Sequence, residues 1–285
     1  MAKTVEQLFE KYLNKFENEF LRAINTEDEE AIHDLRVSIK KIRALFLFLK
    51  EAGFADIKSD YKYLRKLKDV FKKAGKLREF HIHKDLLEQY SQRIGENFPA
   101  LAEYIEEQEK EAKQAWHDFM PGLKLRKLYK SADQLHQAID GIPSKKLNSR
   151  LYNFVITRLD ACQEFMLEPH YEIHLHQIRK YLKHIRFIIG QKIGNIHELF
   201  ENEIDFRDTK KVEDMLGEWH DKDEFCKLLD KFYSQLDDTR QNEIFETYQA
   251  FKDKVEKDIR EDVKKLRPEL VHVFSIMKTL MEMHH

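Results

Sequence analysis

Apolar residues recur along this chain every three or four positions. Leu8, Tyr12, Phe16 and Phe20 open the pattern, and Ile32, Leu35, Ile39, Ile42 and Phe46 continue it. Such a period places one apolar stripe on each helix, and no stretch shows the strict alternation of a half-buried strand. Turn formers are sparse, with 8 Gly and 5 Pro, and they fall between periodic segments. The pattern predicts an all-α chain of about twelve helices. Breaks are expected near Asn25–Asp28, Gly53–Ser59, Gly75, Gly95–Pro99, Pro121–Gly122, Gly141–Ser144, Glu168–Pro169, Gly190–Asn195, Gly217, Leu236–Thr239 and Pro268.

The polar positions carry a second pattern. In "AIHDLRVSIKKIRALFLFLK", residues 31–50, His33, Arg36, Lys40 and Arg43 share one side of a helix, and no acid falls between Asp34 and Glu51. "LHQIRKYLKHIRFII", residues 175–189, repeats the spacing with His176, Arg179, Lys183 and Arg186, each 143 positions after its counterpart. "YLRKLKDVFKKAGKLRE" (63–79) pairs with "DFRDTKKVEDMLGEWHD" (205–221), so that Arg65 meets Arg207, Lys68 meets Lys210, Gly75 meets Gly217 and Glu79 meets Asp221. The expectation is an internal duplication: a single domain over 1–285, made of an N-terminal helical repeat (1–143) and a C-terminal one (144–285). Each would run from a lead helix through the ladder helix to a basic helix ending in Gly. Two such bundles, of four-helix type, should pack about an approximate twofold axis.

Residues at i, i+3, i+7 and i+10 lie within about 80° of one another on an α-helix, and the ladder spans roughly 15 Å. It borders the apolar stripe. Charge stripes on helices are usually solvated faces, but those interleave signs, because like charges one turn apart repel. "FKDKVEKDIREDVKKLR" (251–267) alternates in that way; the ladders do not. A repulsive array that occurs twice calls for an external anion. His33 and His176 open the two ladders, either as packed histidines or as phosphate ligands. A second basic row, Arg65, Lys68 and Lys72, repeats the spacing; its later counterpart is Arg207, Lys210 and then Asp214.

Composition narrows the anion. The 50 basic and 52 acidic side chains give a net charge of −2, which argues against a generic nucleic-acid binder. The charges are nonetheless segregated, since residues 173–197 and 35–50 hold no acid at all. No Gly-rich loop with Lys and Ser/Thr offers a pocket for a single phosphate. No aromatics are interleaved on the basic faces to stack bases. A long anion with charge and no bases, inorganic polyphosphate, fits best. No apolar run is long enough to span a membrane, and "MAKTVEQLFEKYLNKF" lacks the apolar core of a secretory signal. Cys162 and Cys226 sit in no metal or redox spacing, as expected of a cytoplasmic protein.

"IHDLRVSIKKIR" and "LHQIRKYLKHIR" resemble the two signature segments of the CHAD family, the conserved histidine α-helical domain. "LGEWHD" (216–221) and "AGKLRE" (74–79) resemble a further family step. The resemblance implies two pseudo-symmetric bundles with a basic groove at their junction. It implies polyphosphate binding without catalysis, sometimes at polyphosphate granules, with no cofactor and no metal. Carried over by position, the binding set is His33, Arg36, Lys40, Lys41, Arg43, His176, Arg179, Lys183 and Arg186. Arg65, Lys68, Lys72, Arg207 and Lys210 are only loosely tied to the family pattern. Lys40 and Lys41 stand where arginines are common, which keeps charge and loses bidentate geometry; His184 stands opposite Lys41.

Two other readings use the same residues. His33–Asp34, His117–Asp118 and His220–Asp221 are His-Asp pairs of the kind found in HD-type metal phosphohydrolases. "HIH" (81–83) and "HYEIHLH" (170–176) lack the spacing plus acid of a known metal site. A helical scaffold binding an acidic protein partner is the third reading.

Overall fold

The computed structural model describes residues 5–26, 28–54, 57–120, 144–190 and 206–283, and these residues contain no strand. The eight α-helices among them are α1 (Val5–Thr26), α2 (Glu29–Glu51), α3 (Ile57–Ile94), α4 (Pro99–Phe119), α5 (Ser144–Leu167), α6 (Leu175–Gly190), α7 (Phe206–Ser234) and α8 (Asp238–Met283). A short 3₁₀ turn, Tyr171–His174, leads into α6. No described helix is long and apolar enough to cross a membrane.

Local signals account for several ends. Asp28 caps α2, its carboxylate accepting from the Ala31 N–H at 2.6 Å, and Glu29 and Glu30 follow in the first turn, where the helix dipole favours acids. Gly53 at φ 72° follows the end of α2, and Gly95 at φ 79° follows α3; both take the left-handed backbone that glycine adopts freely. Pro99 opens α4 at a position that needs no N–H.

Three expected breaks do not occur. Gly75 lies inside the 38-residue α3, Gly217 inside the 29-residue α7 and Pro268 inside the 46-residue α8. The basic helices therefore run on past their glycines. An interior glycine costs a helix only about 1 kcal/mol against alanine, less than the packing of a flanking turn returns. Proline costs about 3 kcal/mol, but Leu266, Leu270, Val273 and Phe274 are all buried around it. Expected breaks at 121–122, 141–143 and 191–195 lie outside the described residues.

Consecutive helices pack on one another in the same order in both halves: α1 on α2 on α3 on α4, and α5 on α6 on α7 on α8. The cores do not divide at the middle of the chain. One cluster joins α1, α2, the first part of α3, the end of α4, α5, α6, the start of α7 and the end of α8. The other joins the end of α3, α4, the end of α7 and the start of α8. Polar ties cross the halves too. The Arg158 guanidinium on α5 donates to both oxygens of Glu51 on α2 at 3.0 and 2.8 Å, and Tyr90 on α3 donates to Asp258 on α8 at 3.1 Å.

Arg158 is buried, with 6% of its side chain exposed, so removing its partner leaves a charge unmet. Glu51→Ala should lower the free energy of unfolding by about 1–3 kcal/mol in urea titration. Glu30→Ala, at the exposed pair with Arg22, should change it far less.

Candidate polyanion site

The two ladder helices, α2 and α6, pack directly against each other. Each buries its apolar stripe, Ile32, Leu35, Ile39 and Ile42 on α2 and Ile178, Leu182 and Ile185 on α6. The flanking cations of the two helices are thereby brought close to one another. Arg36 feels the charge of Arg179, and Lys40 those of Lys183, Arg36 and Arg179. Lys183 in turn feels Arg179 and Arg36. Four cations from two helices thus line one recess.

Among the described residues none of these four, nor Arg43, makes an ion pair. Arg36 Nη1 instead donates to the backbone carbonyl of Phe71 on α3 at 3.1 Å. The Phe71 ring lies under the Arg36 guanidinium at 4.4 Å, the Arg43 guanidinium at 5.2 Å and the Lys40 ammonium at 6.0 Å. An aromatic face attracts cations without neutralising them. The Arg179 Nε is buried and has no hydrogen-bond partner among the described residues.

The crowding shows in proton affinity. Burial first, and then Lys183, Arg36 and Arg179, push the Lys40 ammonium down to about 7. Burial, with Arg179 next, pushes Lys183 down to about 8. Burial also lowers Arg36, Arg43 and Arg179, which stay charged because arginine starts so high. The surface of Lys40 is open to solvent although protein atoms crowd it, as expected of an open-mouthed recess.

Three carboxylates supply partial compensation. Glu79 faces Arg36, and Asp221 faces Arg179 and Lys183. Glu213 on α7 is paired with the Arg186 guanidinium and also reaches Lys40, Arg179 and Lys183. Arg36, Lys40, Arg43, Arg179, Lys183 and Arg186 therefore face three acids, a local surplus of three positive charges when both lysines are protonated. Glu79 and Asp221 stand at matching positions, 142 apart, in the paired segments 63–79 and 205–221. Phe71 and Glu213 carried no signal of their role.

The remaining candidates scatter. Lys41 has Lys15, Lys11 and Asp34 as its charged neighbours, not the cations of the recess. His33 is exposed. His176 lies 3.2 Å from Asp223 and packs 4.9 Å from the Trp219 ring. Burial pushes His184 down to about 4, so it adds no charge at neutral pH. Lys68, Lys72 and Lys210 are exposed, and the side chains of Arg65 and Arg207 lie outside the described residues. A separate cleft of about 480 Å³ borders the recess at Glu79, but there Lys73, Lys76, Lys227 and Lys231 already face Glu79, Glu111 and Glu224.

His176, Asp223 and Glu224 bring ligand atoms within 4.8 Å of one another. The Lys227 ammonium already donates to both carboxylates, at 2.7 and 2.8 Å, so a cation occupies that position. One of the three His-Asp pairs lies beside this cluster, the His220 ring standing edge-on to that of His176 at 5.1 Å. Asp34 takes Arg22, Asp118 takes Gln114, and His220 faces its own neighbour Asp221.

The family model for the CHAD domain matches residues 7–189. The chain belongs to the CHAD family. The matched span holds both ladders and ends before "LGEWHD". Among solved structures, the fold is similar to PptA from Streptomyces chartreusis, with a TM-score of 0.68 at 15% identity, over 95% of this chain and 98% of that one. It is also similar to the CHAD domain from the plant Ricinus communis, with a TM-score of 0.64 at 16% identity, over 94% and 92% of the two chains. No curated protein matches the chain.

A lysine whose folded pKa is depressed costs stability in full below that pKa, and the cost is relieved as pH rises toward the unfolded value. Lys40→Met should therefore raise the melting temperature at pH 6.5, and the gain should shrink by pH 9.5. Differential scanning calorimetry at the two pH values checks both statements.

Proposed function

We propose that this CHAD protein binds long inorganic polyphosphate, without catalysis, in the recess between α2 and α6. The observation that carries the reading is the convergence of Arg36, Lys40, Arg179 and Lys183 without ion-pair partners among the described residues. Such a set is electrostatically incomplete, and an external anion completes it. CHAD domains as a family bind polyphosphate and are generally binding modules rather than enzymes. The two halves are read as copies of one unit, supported by the 143-residue offset and the shared packing order. The aromatic ring at the site, Phe71, lies beneath cations rather than open to a base, which favours a base-free polyanion over nucleic acid. Cys162 and Cys226 are both free, which suits the cytoplasm. Polyphosphate granules are where such binding would draw the protein.

Arg36→Gln combined with Arg179→Gln should weaken binding of long-chain polyphosphate by about 100-fold in isothermal titration, on the order of a factor of ten per lost arginine contact. Lys257→Gln with Lys264→Gln, on the exposed face of α8, should leave it unchanged. Affinity should fall with added salt, since several counterions are released together. Tripolyphosphate should bind more weakly than long chains, because a short chain cannot satisfy both ladders at once. Equal affinity for the two chain lengths, or tighter binding of tRNA or heparin, would refute the reading, and release of phosphate would favour a hydrolase.

A further inference from the structure

Gly75 and Gly217 are matched by the duplication, yet each sits inside a helix, where glycine is a poor choice. The two are not alike in space. A Cβ added at Gly217 would meet nothing within 4 Å. A Cβ added at Gly75 would collide with Arg36 Nη1 and stand 3.5 Å from its Cζ and 3.9 Å from Nη2. The guanidinium lies across α3 in the space where a side chain would be.

Phe71 is one turn before Gly75 on the same face of α3. In a continuous helix its carbonyl accepts the Gly75 N–H, leaving a second lone pair. Flanking side chains normally screen that lone pair from the side. Here the missing side chain of Gly75 opens it, and Arg36 Nη1 takes it at 3.1 Å while the guanidinium stacks on the Phe71 ring at 4.4 Å. We propose that Gly75 and Phe71 form a seat that fixes the Arg36 guanidinium in the recess, and that both are positioning residues for polyanion binding. The proposal rests on the polyphosphate reading above. Its physical content is preorganisation: a long, rotamer-rich side chain is ordered before the ligand arrives, so less freedom is lost on binding. Only one donor of the fork is spent on the seat, and the others remain for phosphate oxygens. No such seat holds the second ladder, where Gly217 stands clear and the Arg179 Nε has no partner among the described residues.

The test is a double-mutant cycle on Gly75→Ala and Arg36→Ala, with Gly217→Ala as control, read by titration with long-chain polyphosphate and by thermal unfolding. Gly75→Ala displaces only the end of a flexible side chain, so the melting temperature should hold or rise. Its affinity should fall about tenfold, roughly the loss of one well-placed contact. Gly217→Ala should raise the melting temperature and leave affinity as it was. In the Arg36→Ala background, Gly75→Ala should have no further effect. Phe71→Leu should weaken binding and Phe71→Tyr should retain it. Should Gly75→Ala fail to fold, the two Phe71 variants decide, and equal affinity in both overturns the seat. Loss in Arg36→Ala without loss in Gly75→Ala, or the same loss from Gly75→Ala whether or not Arg36 is present, also overturns the seat alone. No loss in Arg36→Ala overturns the polyphosphate reading of the recess and the seat with it.

Discussion

Like charges forced together by apolar packing are the constraint on which this molecule turns. Arg36, Lys40, Arg179 and Lys183 repel one another, and the depressed proton affinities of both lysines record that repulsion together with burial. Nothing in the ladder helices relieves it. What holds them together is the burial beside the ladders, where Ile39, Ile42, Leu182 and Ile185 are fully enclosed. Each such side chain contributes about 1.5–3 kcal/mol on removal from water. The cations occupy the margin of those stripes, so whatever clamps α2 against α6 also drives the charges into one recess. On the proposed reading, binding energy for an anion is in this sense stored by the core. A ligand that prefers the folded state adds to its stability with the logarithm of its concentration over Kd.

Glu79, Glu213 and Asp221 bring the repulsion to a tolerable level. An uncompensated cluster of desolvated cations would shed protons or fail to form. Full compensation would leave no field for a ligand. Three acids against six cations is an intermediate state, and the arrangement of the acids matters as much as their number. None is on a ladder helix; they come from α3 and α7. On the proposed reading, a polyanion replaces their field without unwinding either ladder helix, because the carboxylates belong to separate elements from the cations they face.

The all-helical fold was readable because a 3.6-residue period is a local property, and the ladders were readable because the same spacing occurs twice. The continuity of α3, α7 and α8 was not, since breaks at Gly75, Gly217 and Pro268 were inferred from local propensity and tertiary packing overrode it. Lys41 illustrates a different limit. One residue beyond Lys40 it is turned about 100° around the helix, and its charged neighbours are accordingly Lys11 and Lys15 on α1. The family pattern brought it into the binding set; the helical period alone would have set it apart. Phe71 and Glu213 could not be recognised at all, because what they do depends on which helix lies across from them.

Those two residues occupy matching positions, 142 apart, as do Gly75 and Gly217. The same register on the basic helix thus holds an aromatic ring in one half and a carboxylate in the other. The consequence for the neighbouring cations is opposite in kind. Phe71 supports Arg36, Lys40 and Arg43 by its π face, and Arg36 also by its carbonyl, both neutral, so it sets no counter-charge beside them. Glu213 pairs with Arg186 and draws on Lys183 and Arg179. On the proposed reading an anion at Arg186 competes with a paired carboxylate, whereas at the first ladder Glu79 and Glu213 act on Arg36 and Lys40 without forming an ion pair among the described residues. Two ladders with one spacing are therefore unequal in what a phosphate must give up to reach them. The ion pair of the second ladder and the neutral ring of the first come from one matching position on the helix behind each.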